Sequence, residues 1–344
     1  ALAAGNAVVH KPSEHTPRTG LLIGALCRLA GVPESVVQVV VGDGAIGRVI
    51  IDAGVNVIAF TGAPATGRRV MEAAAQHLTP VLLELGGKDA AIVCDDADLE
   101  RAANGITWGA FINAGQTCIA VKRAIVAESV YDRFVAMIAE RARTLRPSAD
   151  DNAQMGALTL AHEVERLERQ ITTSVNLGAR LVAGGMRLPG PGLFFAPTVL
   201  ADCTAGMPAV KEETFGPLLT ILRATDDASA LRLANDCEFG LGGSVWTRNG
   251  ARAQRLAAHM ATGSVCVNDA LVQAFNPRLP FGGVKQSGVG RAGGELGFLS
   301  YCNVQSVVVP WLTPRREPYW YPYTPGFRRF WKKFTALLHS SWKQ

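Results

Sequence analysis

Two residues 34 positions apart, Glu84 and Cys118, carry side chains suited to covalent carbonyl chemistry. Glu84 lies in Leu83-Glu84-Leu85-Gly86-Gly87-Lys88, a carboxylate on an apolar run that breaks at two glycines. Cys118 ends Gly115-Gln116-Thr117-Cys118, a loop whose small residues leave room for a substrate carbonyl. A thiol nucleophile and a carboxylate that activates water are what oxidation of an aldehyde through a covalent thioester requires. The apolar neighbours Leu83 and Leu85 predict a raised pKa for Glu84, useful for a base at neutral pH. Taken singly, each residue has a plainer reading. Glu84 would be a strand-end partner of Lys88, and Cys118 a small buried hydrophobe.

The elements around these residues alternate between strand and helix. Ala7–His10 reads as a short strand, Thr19–Ala30 as a helix stopped by Gly31 and Pro33, and Val36–Val41 as a strand buried on both faces. Helices follow at Ala45–Ala53 and Ala65–His77, with strands at Val55–Phe60 and Val81–Leu85. Further on, the periodicity predicts helices at Leu99–Ile112, Val130–Leu145 and Val164–Leu177, and strands at Ala124–Ala127 and Arg180–Val182. Residues 268–297 are rich in Gly and Pro and read as loop, and Gln305–Val309 as a last strand. Such alternation predicts an α/β protein with a doubly wound parallel sheet, followed by a second α/β domain.

At 344 residues the chain suits two domains better than one small core. Residues 311–344 hold seven Lys/Arg against Glu317 alone, a net of +6, which leaves 27 basic and 28 acidic residues in 1–310. The body is thus electrostatically neutral, and nucleic acid is not expected as a partner. The seven cysteines, at 27, 94, 118, 203, 237, 266 and 302, form no CxxC pair and no Cys/His cluster. Neither a disulfide framework nor a metal site is expected, and a reducing, cytoplasmic setting suits them. No signal peptide or apolar run of transmembrane length is read from the sequence.

Five more islands stand along the chain. Lys11-Pro12-Ser13-Glu14 offers a Lys/Glu pair at a helix start. Gly42-Asp43-Gly44-Ala45-Ile46-Gly47 spells a literal G-x-G-x-x-G, and Phe60-Thr61-Gly62-Ala63-Pro64-Ala65-Thr66-Gly67 is a second glycine turn before a helix. Glu212-Glu213-Thr214-Phe215-Gly216-Pro217 and Pro280-Phe281-Gly282-Gly283-Val284-Lys285-Gln286-Ser287-Gly288 come later. In this order, with Glu84 and Cys118 between, the islands closely resemble the aldehyde dehydrogenase superfamily over residues 1 to about 300.

The resemblance implies NAD-dependent oxidation of an aldehyde to an acid, with Cys118 as nucleophile and Glu84 as the base that activates the deacylating water. It implies cofactor contacts at Lys11, Ser13, Glu14, Gly62, Ala63, Gly67, Leu85, Glu213 and Phe215. Lys11 and Glu14 would meet the adenosine ribose, a carboxylate there favouring NAD over NADP. The pyrophosphate would lie on the turn at 62–67, not at Gly42–Gly47. Ala63 stands where the family usually has Ser, and Gly290-Arg291-Ala292 lacks a usual Glu. Glu213 would meet the nicotinamide ribose, Phe215 the cofactor; Asn268 and the late glycine signature would be scaffold. The division implied is 1–86 for cofactor, 87–297 for catalysis, 298–310 as assembly strand in a homo-oligomer, and 311–344 as a basic amphipathic tail. The chain would be an N-terminally truncated fragment, lacking an Asn that helps hold the oxyanion; a catalytically inactive module binding a membrane or partner is the alternative.

In that tail, Phe327, Phe330, Trp331, Phe334, Leu337, Leu338 and Trp342 fall at i, i+3, i+4, i+7 spacing, flanked by Arg328, Arg329, Lys332 and Lys333. Residues 326–342 therefore read as a basic amphipathic helix, either a peripheral membrane contact or a helix docked on a partner.

Overall fold

A computed structural model describes residues 1–317 and 319–341, apart from the side chains of 340 and 341. The chain divides into two units, Ala1–Cys302 and Asn303–Gln344.

The first unit opens with β1 (Val8–His10), α1 (Pro17–Leu29) and β2 (Val37–Val39). Strands β1 and β2 pair in parallel as a sheet of two, with α1 laid on it through Gly20 against Pro12 and Gly24 against Val39. The expected strand Val36–Val41 is therefore shorter, and it is not buried on both faces: of its residues only Val37 is fully buried, and Val41 is 47% exposed. A strand with one partner and one covering helix has only one face to bury.

Next come α2 (Gly44–Asp52), β3 (Ile58–Thr61), α3 (Pro64–Ala75) and β4 (Val81–Glu84). Strand β3 runs parallel to β4. Both helix starts follow from the local sequence. Asp43 caps α2 by accepting from the Ala45 amide at 2.9 Å, whereas α3 begins at Pro64 behind Ala63 with no side-chain cap.

The larger core surrounds a sheet of seven strands. Its elements are β5 (Asp89–Val93), α4 (Leu99–Phe111), β6 (Val121–Ala127), α5 (Tyr131–Thr144), α6 (Ala161–Asn176), β7 (Arg180–Ala183), β8 (Thr198–Ala201), α7 (Pro208–Lys211), β9 (Leu218–Ala224), α8 (Asp227–Asn235), β10 (Phe239–Gly240), β11 (Gly242–Trp246), α9 (Gly250–His259) and β12 (Ser264–Val267). The strand order is β12-β11-β5-β6-β9-β8-β7, parallel except for β7 at one edge. Strands β5 and β11 are buried along their whole length. That burial is what central strands covered by helices on both faces require. Helix α4 supplies one cover, with Ala102, Ala103, Ile106 and Ala110 inaccessible at helical spacing. Its Gly105 sits on the Trp246 ring.

Strand β5 is central yet was not anticipated from the sequence, because Lys88-Asp89 places two charges at its start. The region 268–297 is mostly loop as expected, with β13 (Val284–Lys285), β14 (Gly288–Val289) and α10 (Gly294–Leu299) embedded in it. Strand β14 returns to pair antiparallel with β4, setting Gly288 opposite Glu84.

In the second unit, Gln305–Val309 is not a strand. Nothing among the described residues forms a ladder with it, and Val307, Val308 and Val309 are exposed. An extended segment without a partner gains none of the ladder bonds that define a strand. The one helix described here, α11 (Pro325–Ser341), agrees with the expected amphipathic segment. Trp342, the end of the expected stripe, lies outside the described residues.

Candidate active site

Glu84 ends β4 and is held on both sides. It is in register with Thr61 of β3 and Gly288 of β14. Its carbonyl accepts from the Gly62 amide at 3.1 Å, and the next amide, of Leu85, donates to the Ser287 carbonyl at 2.9 Å. The late glycine signature thus acts as scaffold, as expected, by fixing the strand that carries the carboxylate. Partial burial raises the pKa of Glu84. The bland pairing with Lys88 is not made: Lys88 is fully buried, and its Nζ donates to Thr214 Oγ1 at 2.7 Å.

Cys118 follows a kinked loop in which Asn113, Ala114 and Gly115 all have positive φ, at 52°, 56° and 69°. Three successive left-handed residues reverse the chain tightly after α4. Gly115 is obligatory in that path, since a Cβ there would overlap the Gly216 carbonyl. The Lys122 Nζ then ties the two loops, donating to the carbonyls of Gly115 at 2.8 Å and Gly216 at 2.7 Å. Burial pushes Lys122 down to about 7. Burial also pushes the Cys118 thiol up to about 11, with Asp89 and Glu84 adding to the rise. The amides of Ile119 and of Cys118 itself oppose that rise.

The glycine pair is the junction. A Cβ on Gly87 would overlap the Cys118 carbonyl oxygen, and one on Gly86 would overlap the Glu213 carboxylate. The Gly87 amide donates to Glu213 Oε1 at 3.3 Å. The loop of Glu213 and Phe215 is secured by Gln170, which accepts from the Thr214 hydroxyl at 2.8 Å and donates to the Glu213 carbonyl at 3.1 Å. Burial raises the pKa of Glu213 as well. The Glu84 strand end, the Cys118 loop and Glu213 therefore meet at Gly86-Gly87, and Phe215, two residues after Glu213, is half-buried.

The other expected residues form a second group. Lys11 Nζ donates to the carbonyls of Pro12 and Gly42, at 2.9 and 2.8 Å, and lies 3.9 Å from the exposed Glu14. Ser13 is exposed and accepts from the His15 amide at 3.3 Å. Gly62, Ala63 and Gly67 line the start of α3, where the buried Leu85 side chain packs under Gly67. Of the two glycine turns, only that of α3 lacks a side-chain cap, so it is the one whose dipole is left for an anion. Asn268, at φ 53°, bonds to Thr247 through its amide nitrogen and oxygen and is scaffold.

Sequence reasoning missed the buried charges of this site. Asp89 accepts from the Gly242 amide at 3.0 Å and is pushed up to about 7 by burial. Arg123 donates to the carbonyls of Lys88, Leu233 and Ala234. The available signal was charge itself, in Lys88-Asp89 and Lys122-Arg123, beside runs otherwise apolar.

A model of the aldehyde dehydrogenase family matches residues 1–307. The 4,4'-diapolycopene aldehyde oxidase of Methylomonas sp is 40% identical over 343 residues, covering 98% of this chain and 63% of that protein. The betaine aldehyde dehydrogenase of Bacillus subtilis (strain 168) is 38% identical over 318 residues, covering 89% of this chain and 64% of that protein. The first match leaves only about 2% of the chain unaligned and so runs through most of the tail. A crystal structure of an NAD-dependent aldehyde dehydrogenase from Sinorhizobium meliloti superimposes with a TM-score of 0.86 at 37% identity, covering 91% of this chain and 64% of that one. The chain spans just under two thirds of the length of these relatives. With the motifs, the fold and these likenesses in agreement, the chain belongs to the aldehyde dehydrogenase family.

Proposed function

We propose that the chain carries the catalytic apparatus for NAD-dependent oxidation of an aldehyde to a carboxylic acid. The observation behind this reading is the convergence of Glu84, Cys118 and Glu213 on Gly86-Gly87, from segments up to 129 positions apart. Residues 1–86 would serve the cofactor and 87–297 the nucleophile.

The residues present fit a dinucleotide. An uncapped helix start at Ala63 suits the pyrophosphate, the loop of Glu213 and Phe215, tied to the Gly87 amide through Glu213, suits the nicotinamide end, and Lys11 with Glu14 suits ribose hydroxyls. Glu14 would repel a 2′-phosphate, which supports NAD over NADP. When bound, NAD supplies the acceptor for the hydride that converts a thiohemiacetal into a thioester.

The protein's own steps are these. Cys118, in its thiolate form, bonds through Sγ to the aldehyde carbon, and the carbonyl π electron pair moves onto the oxygen. After the oxidation, Glu84 removes a proton from water as the oxygen attacks the thioester carbon. The carbon–sulfur bond breaks, the acid leaves and Cys118 is regenerated. Burial of Glu84 suits the task, since a raised pKa brings the base closer to working pH.

An apolar aldehyde is the substrate class that this reading favours, because the 4,4'-diapolycopene aldehyde oxidase aligns through the tail. Assembly of the full-length protein as a homo-oligomer is part of the reading, supported by exposed valines in the unpaired segment 305–309. The test is NADH formation from NAD with aldehydes of increasing chain length, beside a Cys118→Ser variant. Turnover that disappears in the variant is the expected result; equal turnover in both would refute the assignment.

A further inference from the structure

Helix α11 is built in two faces. At 100° per residue, Phe327, Phe330, Trp331, Phe334, Leu337 and Leu338 occupy an arc of about 120°. Arg328, Arg329, Lys332 and Lys333 fill the opposite side. Its sequence contains no acidic residue, and none follows Glu317. The aromatics touch along the helix. Tyr323 stacks on Phe327 at 5.2 Å, Phe330 on Phe334 at 6.0 Å, and Trp331 meets Phe334 edge-on at 5.2 Å. Phe330 is 59% exposed. A shallow groove at Tyr323, Phe327 and Trp331 is bordered by Arg328 and Lys332.

We infer that α11 lies flat on an anionic lipid surface. Its 17 residues extend about 25 Å, but four cations interrupt them, and no described helix is long and apolar enough to cross a membrane. An aromatic stripe opposite an all-cationic face matches the interface of a bilayer, where rings enter the headgroup region and Lys/Arg meet lipid phosphates. The net of +4 on the helix, with no anion, is complementary in charge to an anionic lipid surface. Tyr319, Trp320, Tyr321 and Tyr323 precede the helix and extend the same aromatic composition. The surface would hold the chain where apolar aldehydes dissolve. Lipid binding itself requires no turnover, so it is read separately from the enzymatic proposal.

The experiment is flotation of the full chain with vesicles of phosphatidylcholine alone or mixed with phosphatidylglycerol. Binding to the anionic vesicles and release by salt are expected. Lys332→Gln with Lys333→Gln should weaken that binding by about 25-fold, at roughly fivefold per cation. Phe330→Ser with Phe334→Ser should weaken it by about tenfold or more. The melting transition of each variant should match that of the parent chain, showing that the first unit remains folded. Equal binding to both vesicles, no binding by a folded chain, or tail-dependent self-association without lipid would overturn the inference.

Discussion

The protonation state of Cys118 is the most demanding consequence of this geometry. Burial, Asp89 and Glu84 together push the thiol up to about 11. At pH 7.5 the thiolate fraction is then on the order of 0.0003, against about 0.1 for an unperturbed thiol. The scarcer thiolate is the more nucleophilic one, by roughly tenfold for this difference in pKa. Alkylation by iodoacetamide should therefore be about 30-fold slower than that of a free cysteine at the same pH. It should also climb nearly tenfold per pH unit as far as pH 10. Following the Cys118 peptide by mass spectrometry across pH measures both. Two substitutions give the sign. Glu84→Gln and Asp89→Asn each remove negative charge near the thiolate, so each should move the midpoint down. Asp89 itself titrates at about 7, so its charge is present throughout the range in which the thiol ionises. A midpoint at or below 8.5 in the parent protein, or an upward shift in either variant, would refute the electrostatic argument.

Three further outcomes follow from the same site. Glu84→Gln should permit acylation but stall hydrolysis, leaving an acyl-enzyme that intact-mass analysis detects; unimpaired turnover would remove Glu84 from its role. Gly87→Ala forces a Cβ onto the Cys118 carbonyl and should lower kcat/KM by about 100-fold or more with the fold retained by circular dichroism, whereas parental kinetics would show that this contact does not position the nucleophile. Asp89 has a folded-state pKa of about 7 against an ordinary 3.8, so the folded protein holds a proton that the unfolded chain has released between about pH 4 and 7. Its contribution to stability is full below pH 4 and is lost as pH rises to 7, a change of about 4 kcal/mol at most. Melting temperatures across that window should fall less steeply in Asp89→Asn, and identical slopes would contradict the assignment.

Much of the site was legible because its signals are local. The Gly115-Gln116-Thr117-Cys118 loop and the Leu83–Lys88 run single out Cys118 and Glu84 as the proposed nucleophile and base once they are read together with the other islands. Helices such as α4 and α5 were legible because an apolar stripe recurs every three or four residues. The choice between the turns at Gly42–Gly47 and Gly62–Gly67 came from the resemblance, and the cap of Asp43 on α2 and its absence at Ala63 are structural observations.

What the tertiary structure alone decided concerns residues whose partners lie far along the chain. Strand β5 is hidden in sequence by Lys88-Asp89, and only its place between β11 and β6 makes it an interior strand of the sheet. Gly288 completes the strand pairing of Glu84 from 204 positions away, and Lys122 finds the Gly216 carbonyl 94 residues on. Conversely, Val36–Val41 and Gln305–Val309 have the composition of strands, but too few neighbours to bury the first on both faces or to pair the second. A short β segment or a buried charge has no stability of its own: its neighbours supply the ladder bonds and the hydrogen bonds that offset desolvation. Those neighbours arrive by the crossovers of a parallel sheet, at separations no local pattern encodes.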